Sequence, residues 1–398
     1  MSDIKYSYGR QSISEEDIEA VVKALRSDWL TQGPEITKFE TALCDRFGAG
    51  YASAAANGTA GLHLIALASG WGPGDIVITS PITFLATANC IAYAGARPDF
   101  VDIDPRFYTL DPTHLETKLK AYAKQGKKVK AVIGVDYAGH PCDWDAIKSL
   151  SEKYGFQMVN DNCHALGASY KGDKQYAVKY ASSVNMSFHP VKHITTGEGG
   201  AVLTNDAELD KKIKILRTHG ITKDPDLLVK NDGPWYYEMQ HLGFNYRITD
   251  FQCALGTSQL SRLDDFVSKR RKVALLYAEL LSSDDRLVLP AEADYAEHSY
   301  HLYPLQIDFE KCKISKELFF EGMRDKGIAL QVHYIPIHLQ PYYRENYGFR
   351  KGNFPISEEF YNREVSLPIY PSLESMDIDF IAKNMLEALD GMDNKNER

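Results

Sequence analysis

The stretch SFHPVKHITTGEGG, Ser187 to Gly200, sets Lys192 between His189 and His193 and follows it with two threonines and three glycines. A surface lysine needs no such setting, because an ammonium on a flexible stem is well solvated beside almost any neighbour. A lysine that reacts does, since its amine must be held free and aimed at an electrophile such as an aldehyde. Ser187 and the Thr-Gly turn offer hydroxyl and N–H donors to a phosphate on the same ligand. His189 and His193 have the i, i+4 spacing of a zinc helix, but Pro190 stands where that motif needs Glu and also resists helix continuation. The sequence contains no GxxxxGK[ST], no GxSxG, and no GxGxxG after a strand-like run.

Two further places carry chemistry. Asp161 ends the strand-like run FQMVN and precedes His164 by three residues. A carboxylate at the edge of a buried strand needs a partner, either a backbone N–H or His164, or else a cationic ring nitrogen of a ligand. Two unit charges about 4 Å apart attract by roughly 4 kcal/mol at an effective dielectric near 20, equivalent to about 3 pKa units. A pyridine beside Asp161 would therefore stay protonated at neutral pH. Asn57-Gly58-Thr59 opens an apolar helical run whose free N–H groups would receive a phosphate, although an N-capped buried helix explains the same residues. Phe84 opens another helix just past VITSP, where its ring would either stack on a flat ligand or pack in the core.

The elements that position these residues alternate. SISEEDIEAVVKAL reads as a helix with a Ser14/Asp17 capping box. It is followed by strands at DIVITSP, PDFVDID, KAVIGVDYAG, FQMVND and VNMSFHP, interleaved with helices at TFLATANCIAYAGA, DWDAIKSLSEKYG and ELDKKIKILRTHG. This order predicts a mainly parallel sheet covered by helices on both faces, with ligands at the carboxyl ends of the strands. Residues 1–262 are assigned to a large domain with an N-terminal arm, and residues 263–398 to a smaller α+β domain. The latter holds a basic helix SKRRKVALLYAELL, strands HLYPLQIDF and ALQVHYIP, and helices KELFFEGMRDKG and DIDFIAKNMLEAL. KRRK, Lys269 to Lys272, reads as a solvated helix face, and DNKNER as a loose tail.

The composition narrows the function class. The 398 residues are 44% hydrophobic and carry a formal net charge of −9, a field that repels nucleic acid. The six cysteines form no CxxC pair and no dense framework, which fits a reducing cytoplasm. No signal-peptide pattern opens the chain and no long apolar run crosses it, so neither export nor a membrane is expected.

Eight motifs, LTQGPEITKFETAL, NGTAGLHLIALA, GPGDIVITSPITFLATAN, GARPDFVDID, VNDNCHALGASY, SFHPVKHITTGEGGAVLTND, GFNYRITDFQCALGTSQL and QVHYIPIH, occur in the order seen in the DegT/StrS family of nucleotide-sugar aminotransferases, which the chain resembles from about Tyr8 onward. The resemblance implies a fold-type I enzyme dependent on pyridoxal 5'-phosphate (PLP), with pyridoxamine phosphate as its intermediate form. Lys192 matches the lysine that holds PLP covalently, Asp161 the partner of the pyridine nitrogen, Phe84 the stacking ring, and His164 a position adjoining the cofactor. Gly58, Thr59 and Ser187 match the phosphate cradle. Asn245 matches a residue reaching the cofactor of a neighbouring subunit, which implies a homodimer. Tyr8, Thr31, Gln331, His333 and Tyr334 match positions lining the sugar-nucleotide pocket. The implied reaction moves the amino group of L-glutamate, leaving 2-oxoglutarate, to carbon 4 of a UDP-linked 4-keto-6-deoxy-N-acetyl sugar. Other readings are a dTDP- or GDP-linked sugar, amination at carbon 3, or a non-catalytic protein binding PLP or a sugar nucleotide. A dehydratase branch of the family carries histidine in place of the lysine, and Lys192 separates this chain from it.

Overall fold

A computed structural model describes residues 4–390; the expected tail DNKNER lies outside the described residues. The central sheet has seven strands: β1 Tyr51–Ala55, β2 Ile76–Thr79, β3 Arg97–Phe100, β4 Ala131–Val135, β5 Gln157–Asp161, β6 Ser183–Ser187 and β7 Gly200–Thr204. Their spatial order is β1-β7-β6-β5-β4-β2-β3. Strands β3, β2, β4, β5 and β6 pair in parallel, while β7 runs antiparallel to both β6 and β1. The mainly parallel sheet expected from the alternation is present, with β1 and β7 added at one edge.

Both faces of the sheet are covered, and the period-two geometry of a strand divides its side chains between them. Ile78, Val132, Met158 and Val184 enter one apolar cluster with Phe39, Trp144 and Phe188. Val77, Ile133, Val159 and Val202 enter the other, against the helix Gly58–Ala68. Burial on both faces is why IVIT of β2 and AVIGV of β4 read as apolar runs rather than alternating ones.

Toward the C-terminus, Leu287–Val288, Tyr303–Ile307 and Glu364–Leu367 form a three-stranded antiparallel sheet. Helices Leu263–Leu281, Lys316–Asp325 and Ser375–Asp390 cover it, and a separate cluster that includes Tyr277, Leu305, Phe319 and Ile381 fills the space between. The N-terminal pair Tyr6–Ser7 joins this region by pairing in parallel with Ile328–Ala329.

Two expectations are corrected. The strand at ALQVHYIP reduces to Ile328–Ala329. Beyond it the chain leaves the ladder, because the His333 N–H is taken by the Glu364 carboxylate at 2.9 Å and the Gln331 carbonyl by the Ser366 N–H at 2.8 Å. KRRK is no uniformly solvated face either. Arg270 is 0% exposed, and its guanidinium donates to the carbonyls of Tyr300, His301, Ile369 and Val191. Like charges in succession on a helix point in different directions, and one of these points inward.

Candidate active site

The loop carrying Lys192 is an excursion between the antiparallel neighbours β6 and β7. It is pinched at its base, where Phe188 N–H donates to the Gly199 carbonyl (2.8 Å) and Thr196 N–H to the Phe188 carbonyl (3.0 Å). Phe188 anchors it edge-on against Phe39, ring centres 5.2 Å apart. Lys192 thus emerges at the carboxyl end of β6, beside the carboxyl end of β5 where Asp161 stands. Both line one cavity of about 680 Å³, a size suited to a ligand and cofactor together. Burial is the main force pulling the Lys192 amine down to about 8; Arg270 adds to it, and Asp161 and Cys163 oppose it. The amine therefore exists in part as the free base at neutral pH, the form a nucleophile requires.

Asp161 is held from two sides. Its Oδ2 accepts from the Thr87 hydroxyl at 2.7 Å and its Oδ1 from the Cys163 N–H at 3.3 Å. Cys163 is held in its thiol form. Burial, with Asp161 close by, pushes its thiol well above the usual range. His164 is buried and driven strongly toward the neutral form, chiefly by desolvation. Its Nδ1 accepts from the Ala138 N–H at 3.3 Å, so the ring proton resides on Nε2, which donates to the Tyr334 hydroxyl at 3.1 Å. Phe84 lies at the rim, 53% exposed, 6.0 Å from the Tyr334 ring.

The residues expected to cradle a phosphate lie at a helix N-terminus. Asn57 caps the helix Gly58–Ala68 through its side chain, which accepts from Ala60 N–H at 2.8 Å and leaves the N–H groups of Gly58 and Thr59 with no intrahelical acceptor. A Cβ at Gly58 would stand 3.0 Å from the Ser187 Cβ and fill the gap between them. A Cβ at Gly200 would lie 2.5 Å from the Asn57 carbonyl carbon and 2.6 Å from the Gly58 nitrogen. Only glycine lets β7 approach the helix start so closely. An anion-receptive helix end with Ser187 beside it, a lysine whose amine is lowered toward neutrality and a fixed carboxylate, all on one cavity, fit the phosphate, aldehyde and ring nitrogen of PLP.

Of the site residues expected from sequence, Tyr8, Gly58, Thr59, Phe84, Asp161, His164, Ser187, Lys192, Gln331, His333 and Tyr334 line this cavity. Thr31 and Asn245 do not. Both are exposed; Thr31 bridges to Thr249 and Asn245 to Thr218, on neighbouring backbone away from the cavity of their own chain. Sequence reading missed three participants: Thr87, which fixes Asp161; Arg270; and His301, whose Nε2 lies 3.3 Å from the Lys192 amine. Thr87 follows Phe84 by three residues on the helix Leu85–Tyr93, a spacing that signals a shared face. His301 comes from a distant segment and carries no local signal.

Comparison with known proteins agrees with this geometry. Residues 11–386 match the DegT/DnrJ/EryC1/StrS aminotransferase family, and the chain belongs to it. The UDP-4-amino-4,6-dideoxy-N-acetyl-beta-L-altrosamine transaminase of Campylobacter jejuni is 37% identical over 96% of this chain and 97% of its own length. Among solved structures, Helicobacter pylori PseC, an aminotransferase involved in the biosynthesis of pseudoaminic acid, superposes with a TM-score of 0.86 at 31% identity, covering 96% of this chain and 99% of that one. The putative sugar aminotransferase Spr1654 of Streptococcus pneumoniae, solved in a PMP-form, gives 0.86 at 28% identity over the whole of both chains. Its PLP-form gives 0.85, again at 28%, over 97% of this chain and 98% of that one. The protein is a sugar aminotransferase.

Proposed function

We propose that the chain transfers the amino group of L-glutamate to carbon 4 of a UDP-linked 4-keto-6-deoxy-N-acetyl sugar, as a step toward pseudaminic acid. In this reading PLP is held covalently by Lys192. When bound, PLP supplies an electron sink and, as pyridoxamine phosphate, carries the amino group between the two substrates. Lys192 attaches the cofactor and, once displaced, is the base that moves a proton at the substrate carbon. Asp161, fixed by Thr87 and Cys163 N–H, holds a ring nitrogen in its cationic form. The Gly58 and Thr59 N–H groups and the Ser187 hydroxyl receive the phosphate, while Phe84 covers a ring face. Tyr8, Gln331, His333 and Tyr334 stand on the same cavity and contact the sugar nucleotide.

The observation that carries this reading is the meeting of the Lys192 amine, Asp161 and an open helix N-terminus on one cavity. The nucleotide and sugar assignments draw support from the Campylobacter jejuni relative, whose name specifies a UDP-linked 4-amino-4,6-dideoxy-N-acetyl sugar, the aminated counterpart of such a substrate. Thr31 and Asn245, exposed on their own chain, serve the cavity of a second copy in a homodimer. The test is incubation with glutamate and a panel of UDP-, dTDP- and GDP-linked keto sugars, followed by mass spectrometry of the product. Amination of the UDP-linked 4-keto sugar with release of 2-oxoglutarate is expected. Preference for another nucleotide, or for a 3-keto sugar, overturns the substrate assignment.

A further inference from the structure

A buried chain of hydrogen bonds leads from the cavity wall to a carboxylate that no part of the reaction described above uses. His333, which lines the cavity, has its Nδ1 2.8 Å from the Ser366 hydroxyl. That hydroxyl donates to the Glu364 Oε1, and the Glu364 Oε2 accepts the His333 backbone N–H at 2.9 Å. The Ser366 N–H to Gln331 carbonyl bond fixes the register between the two segments. Glu364 and Ser366 are 0% and 1% exposed, and His333 is buried. A serine hydroxyl has one proton. While it donates to ionised Glu364, its oxygen accepts from His333 Nδ1–H, and His333 Nε2 is left with a lone pair for a ligand.

We propose that Glu364, Ser366 and His333 form a proton relay through which the His333 ring takes a proton from, or returns one to, a hydroxyl or carbonyl of the bound sugar while the ring itself stays neutral. The proposal rests on the sugar-aminotransferase reading above for its ligand. The transfer balances. A proton arriving at Nε2 is matched by the Nδ1 proton passing to Ser366 Oγ and the Ser366 proton passing to Glu364, which becomes a neutral acid. Nε2 then presents N–H where it had presented a lone pair. The reverse steps return the proton to the ligand, with no net change in the protein.

The surroundings favour this route over a charged ring. Burial, and secondarily the Lys192 cation, pull the His333 imidazole down to about 3, so an imidazolium is strongly disfavoured. Burial pushes Glu364 up to about 7, against hydrogen bonds from Ser366 and His333 N–H and the pull of Lys316. The relay thus stores its proton at the one group that accepts it near neutral pH. Around Glu364 stand Lys316 from the helix Lys316–Asp325, and Tyr108, Tyr137 and Tyr334 from other segments. Arg363 turns toward Asp308 and Glu359. Facing His333 are the Tyr8 ring at 4.9 Å, His164 and Lys192. Lys316 itself is lowered to about 8 by burial and donates to the Tyr361 carbonyl.

The test begins on the full-length protein with no sugar present. Infrared difference spectra between about pH 5.5 and 8.5 should show a buried carboxylic-acid band growing as pH falls, and Glu364→Gln should abolish it. The kcat/KM for the keto sugar should show an inflection at the midpoint of that titration. Glu364→Gln and Ser366→Ala should both remove that inflection and lower kcat by about a hundredfold, while Ser366→Ala retains the infrared titration. A merely structural role would lower activity equally at all pH values. Glu364 ionised throughout the range, or an inflection surviving in both variants, overturns the relay. Failure to aminate any keto sugar overturns the functional reading instead and leaves the infrared result to judge the relay.

Discussion

At Lys192 the requirements of reaction and of stability oppose each other. Burial depresses its pKa to about 8 from 10.5, so at neutral pH the unliganded protein holds an ammonium the fold disfavours. The unfolded chain binds that proton more readily between these two values, and stability therefore rises with pH through the window from about 8 to 10.5. Lys192→Met keeps the volume and removes the charge. It should stabilise the cofactor-free protein by about 3 kcal/mol at pH 7, with the gain shrinking above pH 8 and turnover abolished. Thermal unfolding at pH 7 and at about pH 10 reads the sign directly. Asp161→Asn is the complementary case. The Thr87 hydroxyl keeps an acceptor, but the charge proposed to hold a ring nitrogen cationic is gone. Turnover should fall about a thousandfold, the equivalent of roughly 4 kcal/mol, with little change in melting temperature; a smaller loss in steady-state rates would argue against the ring-nitrogen role. Both residues were legible because a strand-ending carboxylate and a lysine in a glycine-rich loop are local signals. His301 and the Glu364 relay were not, since their partners lie far away in sequence and only tertiary folding joins them.

The elements hold the cradle by close packing of backbone. Gly200 opens β7 directly against the start of the helix Gly58–Ala68, where a Cβ would meet the Gly58 nitrogen at 2.6 Å. Backbone cannot rotate away as a long side chain does. Gly200→Ala should therefore push the helix N-terminus out of register, weaken phosphate binding and destabilise the protein by about 1–3 kcal/mol. The signature is cofactor lost on gel filtration, visible as reduced absorbance, together with a lower melting temperature. The strands that carry Asp161 and Ser187 were readable because a short stretch with apolar residues, Met158 and Val159 in one and Val184 and Met186 in the other, continues into residues that suit a turn. Strand β1, YASAA, was not, since small residues alternate no more clearly in a strand than in a helix. The ALQVHYIP segment misled for the opposite reason. Its β-branched and aromatic residues suit a strand, yet its hydrogen-bonding groups are captured by Glu364 and Ser366.

Over the whole molecule, a chain with net charge −9 still exposes large apolar side chains, several of them close in sequence to Asn245. The segment leading to it exposes Val229 at 90%, Trp235 at 71%, Met239 at 65% and Leu242 at 81%. Such a concentration of exposed apolar side chains marks an interaction surface, and a second copy is the occupant that would also bring Asn245 and Thr31 to a cavity their own chain does not share. A closed two-fold dimer makes this contribution reciprocal. Subunit mixing tests it without a structure of the assembly. Lys192→Ala and Asn245→Asp each remove one half of the same composite site. If Asn245 acts across the interface, a mixed dimer regains one intact cavity, built from the Lys192 of one subunit and the Asn245 of the other. Random exchange of equal amounts makes half the dimers mixed, each with one working site of two, so activity should recover to about one quarter of wild type. If Asn245 acts within its own chain, every cavity in the mixture carries a defect and the activity of the mixture stays at the average of the two parents. Leu242→Asp should block recovery by preventing association, and sedimentation of that variant as a monomer would tie the exposed patch to the shared site.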